Sequence, residues 1–516
     1  MNQLTVRTFA AIDVGSYELT IKIFEFSGKN SMREIDCVSK RLDLGADTFA
    51  MGKISNEKMD ELCRTLKDFS DIMKSYRVVG YKAYGTSAIR ETKNTTIVQD
   101  QIAQRTGIKV ETLGNSEQRF LDYKSVASKG ESFRKIIEEK TAILDIGGGS
   151  IQLSLFDKDT LVSTQNLRLG VLRLQDYLNR FSVKSSQTEE LINEMAMARL
   201  DTYKKLYLNN KEIRNLIVVD DYLSPWAVRR SGKDAGRTFL DRAEFLRIFE
   251  VLRGKNPAQI AAYMDISEER VPLLFISAVL IKYIAEMMGI ERVWLPGVTL
   301  CDGIAYEYAE KIKMFQGEHD FEEDIIACAV NISKRYMGSR KRSEILENFT
   351  MTIFDSMKKV HGLGKRERLY LRLAAILHDC GKYISMVNIG ETSFQIVMAT
   401  EIIGLSQQER EIVANVVRFN HSKFVYDGQE ASLDWNRESF LMVAKLTAIL
   451  RLANSLDRSH KQKLKGLKAV LKENQLVLTV DTQEDITLEK GFFEANGDFF
   501  KEVFSVEPVL KQRKIF

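Results

Sequence analysis

The chain has 516 residues, 44% hydrophobic and 28% charged, which is the profile of a water-soluble globular protein with three or four domains. A net charge of +4 is small for this length and neither demands nor forbids a polyanionic partner. Five dispersed cysteines (Cys37, Cys63, Cys301, Cys328 and Cys380) with no C-x-x-C pair argue against a disulfide framework or a cysteine zinc site.

The first residues lack the charged-then-apolar order of a secretory signal, which predicts a cytoplasmic protein. Ala11-Ile12-Asp13-Val14-Gly15-Ser16 and then the alternating residues 19–24 predict a hairpin: a strand ending in Asp, a tight turn, a second strand. A helix over 56–76 and a strand over 78–84 follow. Gly85-Thr86-Ser87-Ala88-Ile89-Arg90-Glu91 then opens a helix, where hydroxyls and free N–H groups favour an anion. A strand over 109–113, a turn at Gly114-Asn115-Ser116 and a helix beginning at Glu117 come next. Residues 142–156 repeat the hairpin, with Asp145 at the strand end and Gly147-Gly148-Gly149-Ser150 in the turn.

The strand-and-helix style continues to residue 310, with helices over 186–209 and 242–252 and a strand over 292–295 before Gly297. The apolar run 271–281 is too short to span a bilayer, is broken by Lys282, and reads as a buried helix, so no membrane partner is expected. Residues 320–460 read as successive amphipathic helices, and 475–480 as an alternating strand in a final α+β cap. The expected domains are therefore 1–130, 131–315, 320–462 and 463–516. Only five prolines fit long helices and few extended linkers.

The repeated hairpin carries the chemistry. Glycine lets backbone N–H groups approach an anion closely, and an aspartate at the strand end can hold a cation or a water beside it. Two such turns predict a duplicated fold with a phosphate clamped between its halves. Glu117, at a helix start where the dipole favours its ionised form, is the candidate to orient or deprotonate a water; a helix-capping role is the plainer alternative. Arg90 and Arg119 are candidate phosphate clamps, or else ordinary salt-bridging arginines.

The ordered set Asp13–Ser16, Thr86–Glu91, Gly114–Arg119 and Asp145–Ser150, with Leu169-Gly170-Val171-Leu172-Arg173-Leu174 and Leu300-Cys301-Asp302-Gly303, resembles the exopolyphosphatase/guanosine pentaphosphate phosphatase (Ppx/GppA) family. The resemblance spans essentially the whole chain. It implies α/β duplicated actin-like (ribonuclease H-like) halves, then an all-α HD-type domain. It also implies hydrolysis of the terminal phosphoanhydride of polyphosphate or of pppGpp with Mg²⁺, Mn²⁺ being an alternative, and a homodimer. By motif position Glu117 matches the catalytic glutamate; Asp13, Gly15 and Ser16 match the first phosphate loop. Gly147, Gly148, Gly149 and Ser150 match the second, Asp145 with Asp13 the cation-holding pair, and Arg90 a phosphate-contacting arginine.

Departures accompany the matches. Ser116 stands where the family has a first acid, Asp220-Asp221-Tyr222 replaces a glycine-glycine-threonine turn, and Cys301 takes the place of an arginine. Aspartates in the channel would repel a polyanion unless a cation sits between them. In the helical region His378-Asp379 and Asp457 resemble HD-type metal ligands, while Arg342 occupies the place of a further histidine. That set is degenerate, and a buried hydrogen-bonded pair is the competing reading. Two basic clusters (Lys334, Arg335, Arg340, Lys341, Arg342; and Lys461, Lys463, Lys465, Lys468) read as solvated helix faces or as the path of a long anion. Few aromatics are interleaved with them, which disfavours base stacking but leaves RNA open.

The sequence thus predicts an Mg²⁺-dependent exopolyphosphatase in which Glu117→Gln abolishes turnover and spares chain binding. A pppGpp 5′-phosphohydrolase is the alternative enzyme, and a polyanion- or nucleotide-binding sensor without turnover is the non-enzymatic one.

Overall fold

The computed structural model describes residues 6–28, 31–182, 184–208, 212–232, 238–315, 317, 319–426, 436–464 and 466–513. The chain divides after Phe321 into two compact units. In the first unit the strands are β1 (Arg7–Val14), β2 (Glu18–Phe26) and β3 (Met32–Arg41). After them come α1 (Leu44–Met51), α2 (Asn56–Ser75), β4 (Gly80–Gly85), α3 (Ser87–Glu91), α4 (Thr95–Thr106) and β5 (Val110–Thr112). Helices α5 (Asn115–Ala127) and α6 (Glu131–Ile137) lead to β6 (Thr141–Ile146), β7 (Ile151–Asp157) and β8 (Thr160–Leu167). The rest of the unit is α7 (Val171–Arg180), α8 (Thr188–Tyr203), β9 (Asn215–Asp220), α9 (Leu223–Ser231), β10 (Phe239–Asp241), α10 (Arg242–Gly254), α11 (Pro257–Met264), α12 (Val271–Met288), β11 (Arg292–Trp294) and α13 (Leu300–Lys311). A π-helical turn, Lys204–Leu208, continues α8; Asn209, the last residue of the helix expected there, lies outside the described residues.

Two mixed sheets carry this unit, and their orders reveal the duplication. The first runs β3-β2-β1-β4-β5 and the second β8-β7-β6-β9-β11, with β10 added at the far edge. In each, three antiparallel strands are extended by strands parallel to the first of them. Strand β1 is buried on both faces, which explains its continuous apolar run. Ala10, Ile12 and Val14 pack with Leu62, Leu66 and Phe69 of α2, while Phe9 and Ala11 pack with Ile304 and Ala305 of α13. Helix α13, late in the chain, therefore completes the core of the first sheet. There a Cβ on Gly303 would overlap Leu121 O of α5.

Two expectations are corrected. The stretch Glu268–Met288 is long and apolar enough to cross a membrane by length and composition, with mean hydropathy 1.8, and 67% of it is buried inside the fold. The apolar pattern outruns Lys282 because that ammonium leaves the core to pair with Glu189 at 2.8 Å. Helix α5 begins at Asn115, two residues before Glu117, with Gly114 as its N-cap.

The second unit holds α14 (Phe321–Arg335), whose first residue closes the first unit, then α15 (Arg340–Ser356), α16 (Lys358–His361), α17 (Lys365–Leu377), α18 (Ile389–Ala399), α19 (Gln407–His421) and α20 (Arg437–Ser455). A three-stranded sheet, β12 (Leu467–Lys472), β13 (Gln475–Asp481) and β14 (Glu507–Arg513), ends the chain, with α21 (Thr487–Phe504) between its last two strands. Alternation along β13 buries Leu476, Leu478 and Val480.

Candidate active-site cleft

Asp13 and Asp145 occupy matching places, each one residue before the end of the first strand of its hairpin. The two turns close alike. Gly15 N–H donates to Glu18 O at 3.1 Å and Gly147 N–H to Ser150 O at 3.0 Å. A Cβ on Gly148 would fall 3.2 Å from Cβ of Ser16, so the two loops approach each other. Residues from both line one cleft of about 650 Å³, at the carboxyl ends of β1, β6 and β9, where open α/β sheets receive ligands.

The second loop is held from behind by α7. Val171 and Leu172 N–H groups donate to Gly147 O (3.1 Å) and Gly148 O (3.0 Å), and Arg173 Nε donates to Gly149 O (3.0 Å). In a trans peptide N–H lies opposite C=O, so the amides of Gly148, Gly149 and Ser150 point away from α7. The approach is close enough that any Cβ on Gly170 would overlap the Gly148–Ser150 backbone. In the first loop Ser16 Oγ accepts from Ala88 N–H at 3.1 Å, capping α3.

Carboxylates outnumber cations in the cleft. Burial holds Asp13 well above the usual carboxylate range, helped by Asp221, Glu18 and Asp145, and its Oδ1 is buried without a hydrogen-bond partner. Burial also raises Asp122 of α5, which hydrogen-bonds Asp145 and keeps Oδ2 buried and unpartnered. Asp145 is pushed up to about 7 by burial, against the hydrogen bond from Asp122 and the nearby Arg119 guanidinium. Asp221 is open to solvent yet enclosed by the cleft walls; that enclosure, with Glu18 and Asp220, pushes it up to about 7. Asp220, also on the cleft wall, caps α9 while its charge still acts on Asp145 and Asp221. It accepts from Leu223 N–H (2.9 Å), Ser224 N–H (2.8 Å) and Ser277 Oγ (2.9 Å).

Two of the cations facing this acidity, Arg270 and Lys22, are engaged. Arg270 reaches both oxygens of Glu18 at 2.9 Å, joining the two halves across the cleft. Lys22, 6% exposed, pairs with Asp302 (2.9 Å) and Glu34 (2.8 Å).

Glu117 is not among the residues lining the cleft. As the third residue of α5 its Oε2 accepts from Gly114 N–H at 2.9 Å, the glutamate half of a capping box whose N-cap glycine has no side chain to reciprocate. Gln118 and Asp122, one turn apart, form the cleft-facing side of that helix. Arg90 likewise braces the walls. It donates to Leu113 O (2.7 Å), Gln118 Oε1 (3.3 Å) and Ser87 Oγ (3.2 Å). Arg119 is buried and donates to Thr164 Oγ1 at 3.4 Å. Asp122, Glu18 and Arg270 were missed from sequence. The signal for Asp122 was available, since a lone acid on the buried stripe of an amphipathic helix is costly unless it serves a site.

Among the described residues no group of three or more His, Cys, Asp or Glu residues is arranged to hold a metal ion. In the second unit Arg342 supplies fixed positive charge to the expected ligand set. Its Nη1 donates to Asp379 Oδ2 (3.0 Å), Nη2 to Asn454 Oδ1 (3.2 Å), and Nε lies 4.0 Å from Asp457 Oδ2. Burial alone would raise Asp379, but His378, Lys382 and Arg342 hold it below the carboxylate range. Burial pushes His378 down to about 3 and His421 to about 4, so both rings are neutral at pH 7. Of the basic clusters, Arg340 pairs with Glu344 (2.7 Å) and Lys463 with Glu489 (3.0 Å), while Lys465 lies outside the described residues.

Comparison with known proteins agrees with this geometry. Residues 27–312 match the model of the Ppx/GppA phosphatase family, and residues 327–496 match its domain III, so the helical region is matched as that domain rather than as an HD-type one. Exopolyphosphatase 1 of Mycobacterium tuberculosis is 27% identical over 164 residues, 32% of this chain and 46% of that protein, so the chain spans under half the length of that relative. Guanosine-5'-triphosphate,3'-diphosphate pyrophosphatase of Vibrio cholerae is 20% identical over 483 residues, 92% of each chain. Among solved structures, an exopolyphosphatase from Cytophaga hutchinsonii superposes with a TM-score of 0.51 at 21% identity, covering 60% of this chain and 100% of its own. The Aquifex aeolicus family member gives 0.50 at 17%, covering 60% and 99%. With its doubled sheet order the N-terminal part is actin-like, and the chain belongs to the Ppx/GppA phosphatase family.

Proposed function

We propose that the chain is a divalent-cation-dependent exopolyphosphatase that releases the terminal phosphate of inorganic polyphosphate by in-line attack of water. The observation that carries this reading is the pair of matched Asp-x-Gly turns, Asp13 to Gly15 and Asp145 to Gly147, lining one cleft. The amide of Gly148, on the cleft wall and braced by α7, is a pre-oriented donor for a phosphate oxygen. Such fixed donors stabilise developing charge without reorganisation. Phosphoryl transfer is chiefly a problem of positioning and charge, which suits a site built from backbone and carboxylates.

The donor set fits Mg²⁺ or Mn²⁺. Asp13 and Asp122 each keep a buried unpartnered oxygen beside Asp145, and Arg270 and Lys22 in the cleft are already paired with carboxylates. Mg²⁺ characteristically uses one or two carboxylates and completes its shell with water and phosphate. When bound it neutralises phosphate charge that this acidic lining cannot. Asp221, solvent-facing and near half-ionised at neutrality, is the candidate to take the proton of the attacking water. Arg90 acts by holding Gln118 and Ser87 in place.

A pppGpp 5′-phosphohydrolase is the second reading, favoured by the full-length match to the Vibrio cholerae relative. We read the second unit as a degenerate HD-type domain in which Arg342 replaces the metal. Phosphate release from long-chain polyphosphate by the purified chain with Mg²⁺ tests the main reading. In competition, pppGpp hydrolysed at lower concentration than polyphosphate would overturn it in favour of the second. Binding without release from either would make the protein a sensor.

A further inference from the structure

From the sequence, the cation would be shared by the two strand-end aspartates, Asp13 and Asp145. The side-chain contacts favour another pairing. Asp122 and Asp145 approach closely enough to hydrogen-bond one another, whereas Asp13 meets Asp145 as a neighbouring charge. Asp122 is 4% exposed, lines the cleft, and keeps Oδ2 buried without a hydrogen-bond partner. A buried oxygen left without a partner is costly unless something else meets it.

We infer that Asp122 and Asp145 are the two direct protein ligands of a divalent cation, with Asp13 reaching it only through water. Two oxygens in a carboxyl–carboxylate hydrogen bond stand about 2.5–3.0 Å apart. Adjacent vertices of an Mg²⁺ octahedron with bonds of about 2.1 Å are about 3 Å apart, so the ion replaces the shared proton with little movement of either side chain. Two carboxylates then neutralise the ion, and the remaining vertices are left for water and phosphate oxygens. The pair joins α5 to the second hairpin, so an element that the motif pattern leaves out of the phosphate site becomes part of it. Asp122 would then set cation affinity, and through it the ability of an acidic cleft to accept a polyanion.

This inference deepens the proposed function and rests on that reading for its role, but its test does not depend on turnover. Binding of Mn²⁺ to the full-length chain is followed by electron paramagnetic resonance for the unaltered protein, Asp122→Asn, Asp145→Asn and Asp13→Asn. Loss of one direct ligand should weaken Mn²⁺ by at least about 10–100-fold, the range seen even for outer-shell partners, in Asp122→Asn and Asp145→Asn alike. Asp13→Asn should change it by less than either. Thermal unfolding guards against misfolding: Asp122→Asn without metal should melt no lower than the unaltered protein, because it removes one of two crowded acids, and should lose the Mn²⁺-induced rise. Asp122→Asn binding Mn²⁺ within twofold of the unaltered chain would overturn the inference. So would a loss in Asp13→Asn matching that in Asp145→Asn. Mn²⁺ binding lost on Asp122→Asn, with no phosphate released from polyphosphate or pppGpp by the unaltered chain, would uphold the cation pair and refute the hydrolase reading.

Discussion

At the scale of single residues, the proposed reading moves the water-activating part from Glu117 to Asp221. Glu117 spends Oε2 on the N-terminus of α5, and an amide at that position can still accept the same bond. Glu117→Gln should therefore keep phosphate release within about threefold of the unaltered chain, while Asp221→Asn should lower kcat by about 10²-fold or more. Steady-state kinetics on both variants decide between them, and a turnover-dead Glu117→Gln would restore its catalytic assignment. Asp221, raised to about 7, must lose its proton to act, so kcat should climb as pH rises through about 7, and this limb should vanish in Asp221→Asn. Stability moves the opposite way. Asp145 and Asp221 hold protons in the folded chain that the unfolded chain has released above about 4, so the folded state binds more protons between about 4 and 7. Their contribution to stability should fall as pH rises across that window and be recovered by added Mg²⁺, as thermal melts with and without the ion would show.

At the scale of elements, the second phosphate loop is only as good as the helix behind it. The N-terminal amides of α7 are satisfied by loop carbonyls rather than by a ligand, which turns the loop amides away from that helix. Gly170→Ala places a methyl group against the Gly148–Ser150 backbone. It should cost about 1–3 kcal/mol in thermal unfolding, as overpacking does, and weaken polyphosphate binding at the same time. Retention of both would show that the α7 contact does not shape the loop. Helix α5 teaches the complementary lesson. Starting it at Asn115 rather than Glu117 turns Gln118 and Asp122 to the cleft and leaves Glu117 at the cap.

At the scale of the whole molecule, charge is organised differently in the two units. In the first, carboxylates converge with their oxygens partly unpartnered, and the proposed reading brings a cation to them. In the second, Arg342 lies between Asp379 and Asp457. Breaking a buried pair by removing one partner strands the other charge, so Arg342→Met should destabilise the second unit by about 3–5 kcal/mol. Denaturant unfolding of the full chain measures this, and a variant as stable as the unaltered chain would show that the ion pairs are dispensable.

The sequence by itself determined the repeated hairpins, because strand alternation, a strand-end aspartate and a glycine turn are local properties that need only neighbouring residues. The matched turn bonds of Gly15 and Gly147 follow from that pattern. It also flagged Asp220 and Asp221 as a departure, but not that Asp220 caps a helix while Asp221 keeps solvent exposure in the cleft. What only the tertiary structure decided was which side chains share space. Asp122 meets Asp145 from 23 positions away, Arg270 meets Glu18 from 252, and α13 crosses back to the first sheet. Such meetings depend on how helices pack against sheets and on the exact register of each helix, and no local spacing encodes them.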